Sequence, residues 1–388
     1  MRDVAIIGIG ETPIGELWNL SLRELGINAG LSAIKDAGVR GEEIEKMYIG
    51  NMSAGRLINQ EHIAPMIADY AGLDGVPSVR IESGGASGGM ALAQGCLSVA
   101  SGVDDIVVVG AAEKMTDVGD QEAKNILSST ADWEWESIFG ATFDSLYAMM
   151  ARYHMIQHGT TREQLAAVAV KNHAHGALNP NAQYQREVPL KVVLNSPIVS
   201  DPLTMFDCAP LSDGGAAVVL CPAETAESYN GDPVKILGTG MGSDHMAVHD
   251  RRGIDTMKAT TSAAQKAFSM ADLKPEDMDF AEVHDNYTIS EIMAVEDMGF
   301  FSKGDGGPAV ERGDTDLHSK LPVNTSGGLK AKGQPVGAVG INQAVEAVLQ
   351  LRGDAGKRQV EDARYGLIHN MGGTGASAVV HILGRWNR

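Results

Sequence analysis

The stretch Ile81-Glu82-Ser83-Gly84-Gly85-Ala86-Ser87-Gly88-Gly89-Met90-Ala91-Leu92 has the composition of a strand end, a tight turn and the start of a helix. Its glycines let the backbone come very close to a ligand. The first turn of the helix offers unpaired N–H groups and a partial positive charge. Such a place suits an enzyme nucleophile, yet the turn contains no cysteine. Ser83 and Ser87 flank residue 85, but no base accompanies them, and a turn or capping role needs none. The cysteines lie elsewhere. Cys96 falls eleven residues past Gly85, about 16 Å along a helix, which assigns it to packing. Cys221 closes an apolar strand. Cys208 leaves two readings open, a packed residue or a site residue. His154 and His158 have the i, i+4 spacing of metal ligands. No zincin-type glutamate surrounds them, so a surface or cap-region role and no metal site are expected. His173 and His175, like His245 and His249, are read the same way. His369 precedes a glycine turn and is either a structural hydrogen-bonder or a site group. Met149, Met150 and Met155 read as core, or as a soft surface for a flexible ligand arm or partner.

The 388 residues suit two domains of ordinary size, with 44% hydrophobic and 21% charged residues. A net charge of −19 argues against nucleic-acid binding, which needs a basic footprint. No run of 18 apolar residues and no basic, apolar start occurs, so neither a membrane span nor a signal peptide is expected. Three cysteines with no CxxC spacing fit a reducing, cytoplasmic setting.

The elements that must position these groups alternate between strand and helix. Val4-Ala5-Ile6-Ile7-Gly8 reads as a buried strand. Gly8-Ile9-Gly10 invites a dinucleotide reading, but Gly15 is too far on and no acidic residue follows a second strand at the right place. A helix is predicted over 21–37, ended by Gly38. Met47-Tyr48-Ile49-Gly50, a helix near 63–71, a helix carrying Met90, Leu92, Cys96 and Val99, and the strand 106–110 follow. From 115 to about 202 the texture changes, and Trp133, Trp135, Phe139, Phe143 and Tyr147 suggest an inserted region with its own small core. The second half then repeats the first. Ala33–Ala37 and Met47–Ile49 are echoed by Ala264–Ala267 and Phe280–Val283. Ser83-Gly84-Gly85 is echoed by Ser326-Gly327-Gly328 before a helix over 338–351, and the strand at Ile106 by Tyr365–Ile368.

Several further motifs complete this pattern. They are Gly110-Ala111-Ala112-Glu113-Lys114-Met115-Thr116, Asp207-Cys208-Ala209-Pro210-Leu211-Ser212-Asp213-Gly214, Glu282-Val283-His284-Asp285, Asn324 to Gly333, and His369-Asn370-Met371-Gly372-Gly373-Thr374-Gly375. With them, the whole chain resembles the thiolase superfamily, and most nearly archaeal acetoacetyl-CoA thiolases related to the sterol-carrier-protein type. The resemblance implies an α/β fold of two duplicated halves, mixed five-stranded sheets with helices between, plus an inserted loop domain. The expected division is 1–235, including a loop region at about 115–205, and 236–388. It implies CoA-dependent acyl transfer with acetyl-CoA and acetoacetyl-CoA. Coenzyme A thioester would be substrate or ligand, with no covalently bound cofactor. It also implies a homodimer or homotetramer, and partners of the HMG-CoA synthase and small zinc-ribbon/OB-fold types in a mevalonate-pathway setting. By the same resemblance Gly85 stands at the nucleophile position, Gln334 at that of the activating histidine, and Asn286 at that of the base. His284 is retained, Gly373 belongs to the reacting site, and Ser87, Gly327 and Gly375 fall at substrate-binding positions. Two functions therefore compete: an acyltransferase of the family whose usual chemistry is missing from this chain, and a non-catalytic homologue that binds acyl-CoA or scaffolds a complex.

Overall fold

A computed structural model of the chain describes residues 1–229 and 231–386. The first half runs β1 (Val4–Glu11), α1 (Leu22–Ala37), β2 (Lys46–Gly50), α2 (Ile63–Tyr70), β3 (Ser78–Ile81), α3 (Ser87–Ser101) and β4 (Val107–Glu113). The inserted region carries α4 (Phe143–His158) and α5 (Arg162–Gly176), and β5 (Gly214–Pro222) closes the half. The second half runs β6 (Val234–Ser243), α6 (Lys258–Ala271), β7 (Phe280–Glu282), α7 (Thr288–Asp297), α8 (Gly328–Ala331), α9 (Val339–Arg352), β8 (Tyr365–Gly372) and β9 (Ser377–Arg385). Local chemistry sets the ends. Ser21 and Glu24 form a reciprocal capping box on α1, and Gly38 ends that helix at φ 70°, a left-handed conformation that glycine adopts without strain.

Among the described residues these nine strands form one sheet in the order β3-β2-β4-β5-β1-β6-β9-β8-β7, and a separate antiparallel pair joins Ile198–Ser200 to Leu203–Thr204 in the inserted region. In the first half β3, β2 and β4 are parallel, and β5 and β1 follow antiparallel. In the second half β7 and β8 are parallel, and β9 and β6 follow antiparallel. The counterpart of β3 has shrunk to one parallel bridge, Ala281 with Val323. The repeat read from the sequence is thus a repeat of topology. Its two copies join through the antiparallel pair β1–β6, Val4 opposite Ile236. Helices α3 and α9 pack on each other and touch strands of both halves, so they lie between them. Helix α1 covers β1 and β5 from outside, and α6 covers β6 and β9.

The glycines of β1 and β6 explain how close the outer helices come. A Cβ on Gly8 or Gly10 would lie 2.3 and 2.4 Å from the carbonyl oxygens of Ala33 and Ala29. On Gly238, Gly240 and Gly242 it would lie 2.2, 2.0 and 2.1 Å from those of Ala267, Ala263 and Ala259. Gly8-Ile9-Gly10 therefore serves helix packing, and the same device recurs in the second half.

The inserted region departs from expectation. Trp133, Trp135 and Phe139 are 51%, 68% and 78% exposed, so they form no core. Only Phe143 and Tyr147 are packed, and they pack on the second half. Tyr147 stacks on Tyr287 with ring centroids 4.4 Å apart, and Phe143 lies edge-on to Tyr147. His154 is not at the surface either. It is fully buried, bonded to Thr160 Oγ1 at 2.7 Å and Glu296 Oε2 at 2.9 Å. His158 bonds Asp255 at 2.7 Å. No group of side chains suited to a metal ion occurs among the described residues. No helix among them is long and apolar enough to cross a membrane.

Gly240→Val forces a Cβ bearing two methyl groups into the Ala263 carbonyl. Overpacking of this kind costs about 1–3 kcal/mol. The urea midpoint is expected to fall accordingly, and an unchanged midpoint would show that α6 moves off the sheet freely.

Candidate active site

Three buried carboxylates fix the loops around the site. Glu113 accepts the N–H groups of Met52 (2.7 Å), Ser53 (3.2 Å) and Gly337 (3.0 Å). Asp213 accepts those of Leu17, Met115 and Thr116 and pairs with Lys114 at 2.6 Å. Asp285 accepts those of Leu329 and Lys330 at the start of α8. A carboxylate on backbone N–H groups holds strands and loops together across the sequence without needing a cation for each charge.

The turn before α3 is closed by its own serines. Ser87 Oγ donates to the Gly84 carbonyl at 2.6 Å and accepts the Ser83 N–H at 2.9 Å. Ser83 Oγ meets Ser377 Oγ at 2.9 Å. Ser87 is fully buried and both its hydrogen bonds are local, so the structure gives it a turn-closing place and not one facing a ligand. Residue 85 points at His284. A Cβ on Gly85 would lie 3.2 Å from His284 Nε2, 2.9 Å from its Cε1 and 2.6 Å from the Met371 carbonyl oxygen.

The hydrogen bonds fix the tautomer of His284. Asn370 Oδ1 accepts the Gly89 N–H at 3.1 Å, which turns its amide nitrogen toward His284 Nδ1 at 3.2 Å. An amide nitrogen only donates, so Nδ1 accepts and the proton sits on Nε2. The ring thus presents an Nε2–H donor to residue 85. Burial, followed by the neighbouring His369, lowers its pKa to about 3 and keeps it neutral. His369 accepts the His284 backbone N–H at 3.4 Å and bonds Thr260 at 2.9 Å, which makes it the structural hydrogen-bonder. Asn370 is the positioning residue that sequence reasoning passed over, although it lies inside a quoted motif.

Asn286 and Gln334 meet around one cavity of about 470 Å³, together with Cys208, Leu211, Tyr287 and Lys330. Asn286 accepts the Ser290 hydroxyl at 2.8 Å, and the Gln334 N–H donates to Ser212 Oγ at 2.9 Å. Gly84 and Gly373 line a different cavity of about 500 Å³ that shares no lining residue with the first. Tyr147 donates to the Gly373 carbonyl at 2.9 Å. Gly375 packs on Met257 and Met371, and Gly327 against Gly176 of α5, so neither lines either cavity. Cys208 is half-buried and its thiol is pushed up to about 12, chiefly by burial, so it supplies no thiolate. Cys96 and Cys221 are core residues.

Comparison with known proteins agrees with this architecture. The family model "Thiolase, N-terminal domain" matches residues 4–201, and "Thiolase C-terminal domain-like" matches 240–385. The chain belongs to the thiolase family. An acetyl-CoA acetyltransferase of Methanothermobacter thermautotrophicus is 54% identical, covering 99% of this chain and 100% of that one. Bovine sterol carrier protein 2 is 32% identical over 97% of this chain and 71% of its own. Among solved structures, an Ltp2-ChsH2(DUF35) aldolase superposes with a TM-score of 0.85 at 28% identity, covering 99% and 98% of the two chains. Human mitochondrial 3-ketoacyl-CoA thiolase in complex with CoA shares the fold, with a TM-score of 0.77 at 17% identity over 100% and 98%.

Burial makes five histidines hard to protonate. His175, His284 and His369 are lowered to about 3, and His173 and His381 to about 4. Their unfolded value is near 6.5, so between about pH 4 and 6.5 the unfolded chain binds more protons and stability rises with pH. Burial-raised carboxyls oppose them. Glu282 and Asp285 are raised to about 7 and Asp297 to about 6, so their stabilisation is lost as pH rises through those values. Glu113 and Asp316 are also raised by burial, while Glu11 and Glu296 are lowered, against their burial, by their partners Lys332 and His154 and act in the opposite sense. Among the large shifts the five histidines outnumber the three carboxyls. The urea midpoint is expected to climb from about pH 4.5 to 6, then fall toward about pH 7.5. A midpoint flat from pH 4.5 to 6 would show that these rings are solvated.

Proposed function

We propose that this chain binds acyl-CoA thioesters in a thiolase-type site, acetyl-CoA and acetoacetyl-CoA being the nearest types, and forms no acyl-enzyme at residue 85. One observation carries this reading: residue 85, which faces the Nε2–H of His284, is a glycine with no side chain to offer, and a Cβ there would lie 2.6 Å from the Met371 carbonyl oxygen and 2.9 Å from His284 Cε1, so the packing leaves no room for one. Covalent acyl transfer needs a nucleophile and a base to activate it. Gln334 and Asn286 stand where the resemblance places that base and the proton shuttle, and an amide takes no proton at neutral pH. Groups acting as a unit lose most of their effect when one is removed. The electrostatic part of the site is retained, because a neutral imidazole donor held by Asn370 is suited to polarise a thioester carbonyl. The acetyl-CoA acetyltransferase relative and the thiolase solved with CoA support coenzyme A thioester as the ligand.

A second reading, a scaffold in a complex with an HMG-CoA synthase-type protein and a small zinc-ribbon/OB-fold protein, is favoured by the exposed Trp133, Trp135, Ile138 and Phe139. Large apolar groups exposed together suit a partner surface. The Ltp2-ChsH2(DUF35) aldolase supports a partnered state for this fold. A homodimer or homotetramer, a cytoplasmic location, a mevalonate-pathway role and a division of the chain near 235 belong to the same reading.

Calorimetry with acetyl-CoA is expected to show binding. Radiolabelled acetyl-CoA is expected to leave no label on denatured protein, and acetoacetyl-CoA with CoA to show no thiolysis. Label retained on the protein, or turnover, would overturn the non-covalent reading. Absence of binding to any CoA ester would overturn the acyl-CoA reading itself.

A further inference from the structure

The 470 Å³ cavity is lined by one buried cation that no carboxylate pairs. Lys330 is 4% exposed. Its ammonium group donates to the Cys208 carbonyl, and it enters no ion pair among the described residues. Asp285 and Asp207 act on it only from further away, and both are committed elsewhere. Asp285 holds backbone N–H groups of α8 and the Asn172 amide at 2.7 Å, and Asp207 pairs with Arg162 at 2.8 Å. Burying a cation without a counter-charge is unfavourable, so such a group is a candidate for a function.

A second observation points the same way. His173, on α5, is 2% exposed, lines the same cavity, and neither of its ring nitrogens has a partner within hydrogen-bonding distance, the backbone of Arg186 acting on it only from further off. Its ring is held between Tyr184 (5.7 Å) and Phe206 (5.6 Å), and the Lys330 ammonium lies 5.8 Å from the centroid of that same Phe206 ring. Buried polar side chains are nearly always satisfied, and this one has a donor to give. The segment 208–212 ties both groups to the reacting positions. Its Cys208 carbonyl accepts from Lys330, its Ala209 N–H donates to the Asn286 carbonyl at 2.9 Å, and its Ser212 hydroxyl accepts from Gln334. Of the other charges that line it, the acids Glu16, Asp120 and Asp144 stand against the bases Lys124 and Arg186; Asp144 accepts the Tyr287 hydroxyl at 2.6 Å and lies 3.9 Å from Lys124, and none of the three acids pairs with Lys330.

Resting on the acyl-CoA reading above, we infer that this cavity selects thioesters whose acyl chain ends in a carboxylate, with Lys330 as the specificity-determining residue and His173 as a second donor. The bound carboxylate takes the ammonium as its ion-pair partner and accepts the His173 N–H. The thioester end then lies toward Asn286 and Gln334. A phosphate of CoA is the other anion able to meet Lys330, and it predicts a different pattern.

The test is calorimetric titration of the full chain with free CoA, butyryl-CoA and succinyl-CoA, for the unaltered protein and for Lys330→Met and Lys330→Gln. The folded state of each variant is checked by its circular dichroism melting curve. Succinyl-CoA is expected to bind about tenfold or more tightly than butyryl-CoA, as a charge-assisted hydrogen bond in a buried site provides. Both variants bring that ratio to about one, and His173→Phe lowers it in part. Equal binding of the two esters by the unaltered chain overturns the inference and leaves the acyl-CoA reading standing. An equal loss of free CoA and of both esters in folded variants assigns Lys330 to a CoA phosphate and likewise overturns it. Failure of all three ligands to bind the unaltered chain overturns the acyl-CoA reading and this inference with it.

Discussion

The two helices enclosed between the halves touch backbone to backbone, and the site depends on that contact. A Cβ on Gly340 would lie 2.2 Å from the Gly89 nitrogen, and one on Gly88 would lie 3.0 Å from the Gly337 carbonyl oxygen. Only glycine lets α3 and α9 touch backbone to backbone at this depth. That contact brings the turn of the first half against the β8 end of the second. Gly89 then reaches Asn370, and Asn370 reaches His284. Widening the helix pair by one methyl group would separate residue 85 from the imidazole it faces.

The rest of the framework is held by acidic residues used as clamps. Glu113, Asp213 and Asp285 each gather backbone N–H groups from segments distant in sequence. Each lies within a motif that made the family legible. Their identities are therefore dictated by where loops must stay, whether or not a reaction takes place between them. This separates the two kinds of information in the chain: the clamps describe a scaffold, and positions 85, 286 and 334 describe what the scaffold is equipped to do.

Strand and helix order, the duplication and the glycine turns were readable because periodic burial and turn chemistry are local signals. Ser21 with Glu24, and Gly38, mark α1 in the sequence as they do in space. The pairing of β1 with β6 was not readable, since nothing local distinguishes a sheet edge from a seam. The aromatic stretch at 133–139 was misjudged because composition alone cannot tell a small core from an outward-facing surface. Phe143 and Tyr147 found their partner Tyr287 well over a hundred residues away. Lys330 stood unremarked inside a quoted motif and His173 was read as a surface or cap-region residue for a similar reason: each is ordinary in its own segment, and only the fold puts them on one cavity.

The Asn370 amide has a consequence for the direction of proton flow. With Nδ1 occupied as an acceptor, His284 has a proton to lend at Nε2 and no open lone pair facing residue 85. Reversing that polarity would require the amide to rotate and abandon the Gly89 N–H that anchors it. The ring is thus latched as an acid-side group. Any step that removes a proton from a bound molecule must use a base from another part of the cavity, from the ligand or from an associated protein. The chemistry open to this site is therefore limited as much by the orientation of one asparagine as by the glycine at position 85.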